Sequence, residues 1–217
     1  EGIRRMYHAG EDIFYYLTVQ NENYPMPPMP DGCRDGILKG MYKCRPTALP
    51  DRPLRAQLLG SGSILNEVIK AQQILAEQFD VAADVWSVTS YKELRRDALD
   101  AERYTLLHPG EEPRTPYVTR CLQDEPGVIV AASDYMKALP DLVGQWMPRR
   151  LISLGTDGYG RSSSRAALRD FFEVDARFVA LAALSGLARE GVLKPGAIKK
   201  AMKVLDINPE KPNPVMS

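Results

Sequence analysis

The sequence predicts an α/β domain of three layers, with a mostly parallel sheet flanked by helices. Short apolar runs alternate with longer segments of helical composition, the pattern of parallel strands joined by crossover helices. One of these runs, GVIVAA at residues 127–132, suits a buried strand, and DVWSV at 84–88 reads as another strand of the series. Twice an apolar run passes through a glycine-rich turn into a helix, in RAQLLGSGSI around Gly60 and in LISLGTDGYGRSSSR from Leu151. In open α/β sheets such junctions lie at the carboxyl ends of strands, where free N–H groups and the helix dipole converge.

The chain begins without Met inside a helical pattern, Gly2 to His8, and is expected to be a piece of something longer. IFYYLTV, residues 13–19, is β-branched and aromatic throughout and predicts a strand buried in a parallel sheet. Asn21-Glu22-Asn23-Tyr24 follows, and then Pro25 to Pro30 places four prolines in six residues. Neither helix nor ladder survives that density of proline, so an extended surface linker and a domain boundary are expected there. Residues 1–30 are accordingly set apart from 31–217.

From Asp31 to Tyr42 the pattern suits a short helix capped by Asp31, with Ile37, Leu38 and Met41 on one side. A proline-rich loop over 44–53 leads to a strand at 54–59. Ile64 to Phe79 then carries apolar residues at helical spacing. Ser90 is a plausible cap for a charged helix over 91–103, whose mixed lysines, arginines and carboxylates read as a solvated face. Residues 108–116 are irregular, 117–123 suit a short helix, and Asp134 is expected to cap a helix reaching Met147, interrupted at Pro140. Leu151 to Leu154 is the fourth strand of this series, and Ser162, Ser163 and Ser164 offer capping hydroxyls to the next helix. Asp175 can cap the small-residue helix FVALAALSGLARE, with Gly191 as its C-terminal stop. Pro195 suits the first turn of a last helix in which Ile198, Met202 and Leu205 share a face, and an extended tail is expected from Asn208.

Composition narrows the function classes. Lysine plus arginine balance aspartate plus glutamate at 28 each, so net charge argues for neither a nucleic-acid nor a membrane partner. No apolar run approaches the roughly 20 residues of a membrane span, and a secretory h-region is missing at the start. Cys33, Cys44 and Cys121 are too scattered for a disulfide framework or a zinc site, which points to a reducing, cytoplasmic setting and no metal.

The residues themselves offer modest chemistry. Gly60-Ser61-Gly62-Ser63 presents backbone N–H groups to an anion, but without the lysine of a phosphate-binding loop or a full dinucleotide fingerprint. Asp157, Gly158, Gly160, Arg161 and Ser162 form a second such loop, in which a carboxylate and a guanidinium suit loop locking. Asn21 to Tyr24 closes an apolar run, a good place for a site, although turn chemistry also explains it. His108 stands before Pro109 with no serine or cysteine in a nucleophile-elbow context, so a loop or helix-end role is expected. On this footing an autonomous small α/β protein binding phosphate or a nucleotide through its two loops, or an anion-sensing domain, is an open alternative.

The runs FYYLTVQNENYPMP, LLGSGSIL, DVWSVTSYKEL and above all LGTDGYGRSSSRAALRDFFEVDA resemble the C-terminal part of the homodimeric, bacterial-type first component of the pyruvate dehydrogenase complex. That family is a thiamin-diphosphate-dependent decarboxylase related to transketolase, and the likeness covers almost the whole chain. It implies a transketolase-like C-terminal domain, with residues before about Asn21 belonging to the tail of a pyrimidine-binding domain. The family's GDG-to-Asn magnesium and diphosphate motif has no counterpart here, and its catalytic glutamate lies upstream of Glu1. Thiamin diphosphate and magnesium are therefore expected on domains outside this chain, which is expected to be inactive alone and to contain no catalytic residue. In the family the NENY segment lies near the active-site entrance, so Glu22, Asn23 and Tyr24 are the candidates for that position. Some relatives carry a histidine where this chain has Pro25, and proline cannot transfer a proton. The partners implied are the rest of the decarboxylase, its second subunit, and the basic peripheral subunit-binding domain of dihydrolipoyl acetyltransferase. That last contact requires exposed carboxylates, such as Asp206 and Glu210.

Overall fold

The structure, a computed structural model, describes residues 1–217. Five strands form one sheet: β1 (Met41–Arg45), β2 (Arg55–Gly60), β3 (Ala82–Val88), β4 (Val128–Ala132) and β5 (Leu151–Leu154). Their spatial order is β1-β3-β2-β4-β5, with β2, β3, β4 and β5 mutually parallel and β1 antiparallel to β3 at one edge. The helices are α1 (Arg34–Lys39), α2 (Ile64–Phe79), α3 (Tyr91–Leu107), α4 (Tyr117–Leu122), α5 (Ala138–Asp141), α6 (Arg165–Phe171), α7 (Ala176–Arg189) and α8 (Pro195–Val204), preceded by a π-helical turn at Arg4–His8.

Strand geometry divides the sheet's side chains between two cores, because successive residues point to opposite faces. Ala56 and Leu58 of β2, Ala83 and Val85 of β3, and Val128 and Val130 of β4 pack under α2 and α7. Leu59, Trp86, Ile129 and Ala131 face the other way, against α3, α4 and the turn at Gly144–Trp146. Burial on both faces explains why these strands read as continuous apolar runs. Gly186 lets α7 lie close on the sheet, since a Cβ there would stand 2.8 Å from Ile152 Cδ1.

Local chemistry sets most of the helix limits. Ser90 Oγ accepts from Glu93 N at 3.1 Å, and Asp175 Oδ1 accepts from Arg177 N at 2.9 Å and Phe178 N at 3.1 Å. Gly191, at φ +77, follows α7, and Pro195 opens α8.

Four expectations need correction. IFYYLTV is no strand of this sheet: residues 13–19 run without ladder partners, and Phe14, Tyr16 and Val19 are more than four-fifths exposed, at 86%, 85% and 88%. Its composition suits burial, but no strand of the described chain lies beside it. The helix expected over 31–42 is confined to α1, whose N-cap is Cys33 and not Asp31. Gly40, at φ +107, stops it, and Gly40 O accepts from Thr89 N and Ser90 N at 2.8 and 3.1 Å, which delivers Met41 into the antiparallel strand β1. Asp134 caps no helix to Met147; the segment holds only α5 and one 3-10 turn, and the Asp134 carboxylate is used elsewhere. The tail from Asn208 folds into turns, with Asn208 Oδ1 accepting from Glu210 N and Asn213 Oδ1 from Val215 N.

Candidate functional site

At the carboxyl end of β2 the chain turns through Gly60, Ser61, Gly62 and Ser63 into α2. A side chain at Gly60 would place its Cβ 2.8 Å from Leu65 Cα, and Gly62 sits at φ +55, so the turn requires glycine on both counts. Gly60 pairs in register with Ala132, and the residues beyond them meet: Ser61 Oγ donates to Ser133 Oγ at 3.0 Å. Ser63 Oγ donates to Asp134 Oδ2 at 2.6 Å. The first N–H groups of α2 turn back on the loop, with Ile64, Leu65 and Asn66 donating to the carbonyls of residues 61–63 at 3.2–3.3 Å. The first amides of α2 are thus engaged by the loop's own carbonyls, and a carboxylate stands at its mouth, so an incoming phosphate meets a like charge.

The second loop, after β5, joins the first through the same residue. Thr156 Oγ1 donates to Asp134 O at 2.5 Å, while Asp157 Oδ1 accepts from Lys137 N at 2.9 Å. Asp157 and Arg161 make no pair with each other; the Arg161 guanidinium lies 5.2 Å from the centre of the Phe171 ring. Gly158, at φ +99, leaves room for the tail, since a Cβ there would come within 2.3 Å of Pro214 O. Around Gly160 the space is open, and Ser162 is exposed. Of the three serines only Ser164 is the helix cap, accepting from Ala167 N at 3.3 Å.

Beyond that cap, Arg165 and Arg169 stand one turn apart on α6 and face the same way. Arg169 Nη1 donates to Glu67 Oε1 at 3.1 Å, and its Nη2 to Ser63 Oγ at 3.3 Å. Glu67 of α2 is 6% exposed, turned towards α6 and the start of α7. Besides Arg169 it receives Lys70 Nζ at 2.9 Å and, on Oε2, Ala176 N at the start of α7 at 3.2 Å. A buried carboxylate is tolerated when several donors share it in this way.

Arg165 reaches the segment before the proline linker. Its Nη2 donates to Asn21 Oδ1, and its Nε lies 2.7 Å from Glu22 Oε1, an ion pair in which that N–H is not aimed at the carboxylate. Tyr24 OH donates to Glu22 Oε2 at 3.2 Å. The guanidinium carbons of Arg165 and Arg169 stand 5.7 and 5.6 Å from the centre of the Tyr24 ring, within cation–π range. The Arg165 guanidinium beside Glu22 holds its carboxyl below the usual carboxylate range. The structure therefore brings Asn21, Glu22 and Tyr24 to the glycine-serine loop by way of α6, whereas the Asn23 side chain makes none of these contacts.

Sequence reasoning passed over Asp134 as a hub and missed Glu67, Arg165 and Arg169. A signal existed for Glu67: it lies three residues after Ile64, on the buried face of an amphipathic helix. His108 ends α3, with its Nδ1 2.8 Å from Tyr104 O and its ring stacked on Tyr104 at 4.0 Å. Burial pushes the Cys44 thiol up to about 11 and raises that of Cys121, which suppresses thiolate chemistry at both.

Within the chain no three His, Cys, Asp or Glu side chains converge to hold a metal ion. With the α2 amides engaged and Asp134 beside them, the residues here do not fit a magnesium-bound diphosphate.

Residues 40–175 match the model of the transketolase-like TK C-terminal domain family. The chain is 48% identical over 216 residues to the pyruvate dehydrogenase E1 component of Pseudomonas aeruginosa. It is 46% identical over 215 residues to that of Cupriavidus necator and 45% over 216 to that of Escherichia coli K12. Each match covers 99% of this chain and 24% of the relative, so the chain spans about a quarter of the length of these proteins. Among solved structures, a transketolase from Leishmania mexicana superposes at a TM-score of 0.48 with 16% identity, over 75% of this chain and 20% of that one.

Proposed function

Because this chain belongs to the transketolase-like TK C-terminal domain family, we propose that it is the C-terminal domain of a pyruvate dehydrogenase E1 component. The whole enzyme decarboxylates pyruvate with thiamin diphosphate and passes the acetyl unit to the lipoyl group of dihydrolipoyl acetyltransferase. The observation that carries this reading is 48% identity to the Pseudomonas aeruginosa E1 component, sustained over 99% of the chain. Thiamin supplies the carbanion chemistry. Its diphosphate and magnesium belong to domains outside these residues.

On this reading residues 1–21 are the tail of the preceding domain. The exposed apolar run IFYYLTV meets that domain, which covers its side chains. Glu22, Asn23 and Tyr24 stand at the active-site entrance, and the domain from Asp31 serves subunit assembly and partner binding in the cytoplasm. Taken alone it turns nothing over. The second subunit packs on its apolar surfaces, and the acetyltransferase docks through its basic subunit-binding domain. Asp206 and Glu210 are exposed, but Lys199, Lys200 and Lys203 are exposed on adjoining α8, so the end of the chain lacks the acidic character that partner requires. The recruiting surface is placed away from α8.

The test is pyruvate-dependent acetylation of a lipoyl domain by the full-length chain with thiamin diphosphate and magnesium, beside this chain alone. Turnover by the first and none by the second is expected. Turnover by neither, with saturable binding of inorganic phosphate by this chain, would favour the autonomous anion-binding alternative.

A further inference from the structure

We propose that Arg165 and Arg169 are positioning residues, a two-arginine clamp by which α6 fixes the Asn21–Tyr24 segment, and with it the Glu22 carboxylate, against the carboxyl end of the sheet. The inference rests on the reading above for what Glu22 faces, but the clamp is a property of the geometry alone.

Three features support it. The segment has few other anchors: residues 13–23 are exposed apart from Ile13, and Pro25–Pro30 pairs with no strand and accepts one side-chain hydrogen bond, from Asn66 Nδ2 to Met26 Sδ at 4.0 Å. What it does have converges on α6, through Asn21 Oδ1, the Glu22 carboxylate and the Tyr24 ring, all on Arg165, with the ring shared by Arg169. A planar guanidinium fits this task because it pairs with a carboxylate, donates to an amide oxygen and stacks on a ring at once.

The clamp is also rooted. Side-chain exposure falls along the path, from 54% at Glu22 and 36% at Arg165 to 15% at Arg169 and 8% at Glu67. Glu67 in turn accepts from the first N–H of α7, and Ser63 links Arg169 to Asp134 and so to both glycine-rich loops. A continuous polar path therefore runs from the junction of α2 and α7 to the one carboxylate of the NENY segment. No residue of α6 is fully buried, although Leu168 and Phe171 pack partly buried against the core under α2 and α7, so these polar contacts act together with that apolar packing to set where it sits. Glu22 holds its place only as long as α6 does.

The experiment uses the full-length enzyme, with Arg165→Gln, Arg165→Lys, Arg169→Gln, Glu22→Gln and the Arg165→Gln/Glu22→Gln double variant. Arg96→Gln on α3 serves as the control for loss of an exposed ion pair. Cleavage after Glu22 by a glutamate-specific protease, read by mass spectrometry, should speed up about tenfold in Arg165→Gln and Arg169→Gln, while the amides of β2 and β4 keep their exchange protection. Kinetically, KM for the lipoyl acceptor should rise about tenfold in Arg165→Gln with kcat within about twofold, and Arg165→Lys should recover part of it by keeping the charge. The double variant should be no worse than the poorer single one, as expected for partners in one contact. Unchanged cleavage after Glu22 in both arginine variants would overturn the clamp. Faster cleavage with KM unaltered would overturn the positioning role. Loss of pyruvate turnover already in the unmodified enzyme would refute the functional reading instead, and cleavage would still judge the clamp.

Discussion

Replacing Glu67 by alanine is the sharpest test of how the two halves of the domain are tied together. The carboxylate is 6% exposed and serves three donors: Arg169 Nη1 at 3.1 Å, Lys70 Nζ at 2.9 Å and Ala176 N at 3.2 Å. These are unequal. Lys70 is 60% exposed and spaced i,i+3, so its share is about 0.3–0.5 kcal/mol. The Ala176 amide is buried, and stranding it costs about 1–3 kcal/mol. Arg169 is only 15% exposed and keeps Ser63 Oγ alone, which adds roughly 1–2 kcal/mol. Together these come to about 2–5.5 kcal/mol, equivalent to a fall in Tm of roughly 5–22 °C for a domain of this size. Glu67→Gln can keep an acceptor oxygen for Ala176 N but then turns its NH2, a donor, towards Arg169 and Lys70, so it should lose less than Glu67→Ala while still losing the two cationic partners. Urea unfolding followed by far-UV circular dichroism measures both variants. A loss below about 1 kcal/mol in Glu67→Ala, or equal losses in the two variants, would refute the assignment of Glu67 as a shared buried acceptor.

Two further outcomes follow from local geometry. Asp175→Ala removes the side chain that accepts from both Arg177 N and Phe178 N; about 1–2 kcal/mol of stability should be lost in the same unfolding experiment, and Asp175→Asn should restore most of it. At Cys44 the thiol is pushed up to about 11 by burial, so alkylation near pH 8, followed by peptide mass spectrometry, should run roughly 100-fold slower than at an exposed cysteine. Since burial favours the neutral thiol, the folded state keeps this contribution below the thiol's unfolded value and loses it as pH climbs from there towards 11. Rapid labelling in the folded state would contradict it.

Regular local chemistry made most of the fold legible. The helix read over Ile64–Phe79 stands at those limits, and Asp175 and Gly191 stop α7 as their residue types require. β1 was missed because MYKCR is short and mixed, and Met41 extended a helical stripe that Gly40 in fact terminates. IFYYLTV misled for the converse reason: its composition records burial, and a strand's partners cannot be read from its own residues. The two glycine-rich loops were visible as strand-to-helix junctions. Which side chains meet there was not, because Arg169 finds Glu67 across 102 positions and Arg165 finds Asn21 across 144. Periodicity has nothing to say about such pairs; only folding of the sheet brings them into register.

Trp86 and Trp146 both belong to the core on the α3 and α4 side of the sheet, and neither touches the core under α2 and α7. Their emission is therefore a reporter with one-sided vision. A lesion at Glu67 or Asp175 that loosens the opposite layer should register in backbone dichroism before the indoles change colour. Divergence of the two signals would mark the sheet as a partition between separately yielding halves, and coincidence would mark it as a single cooperative unit.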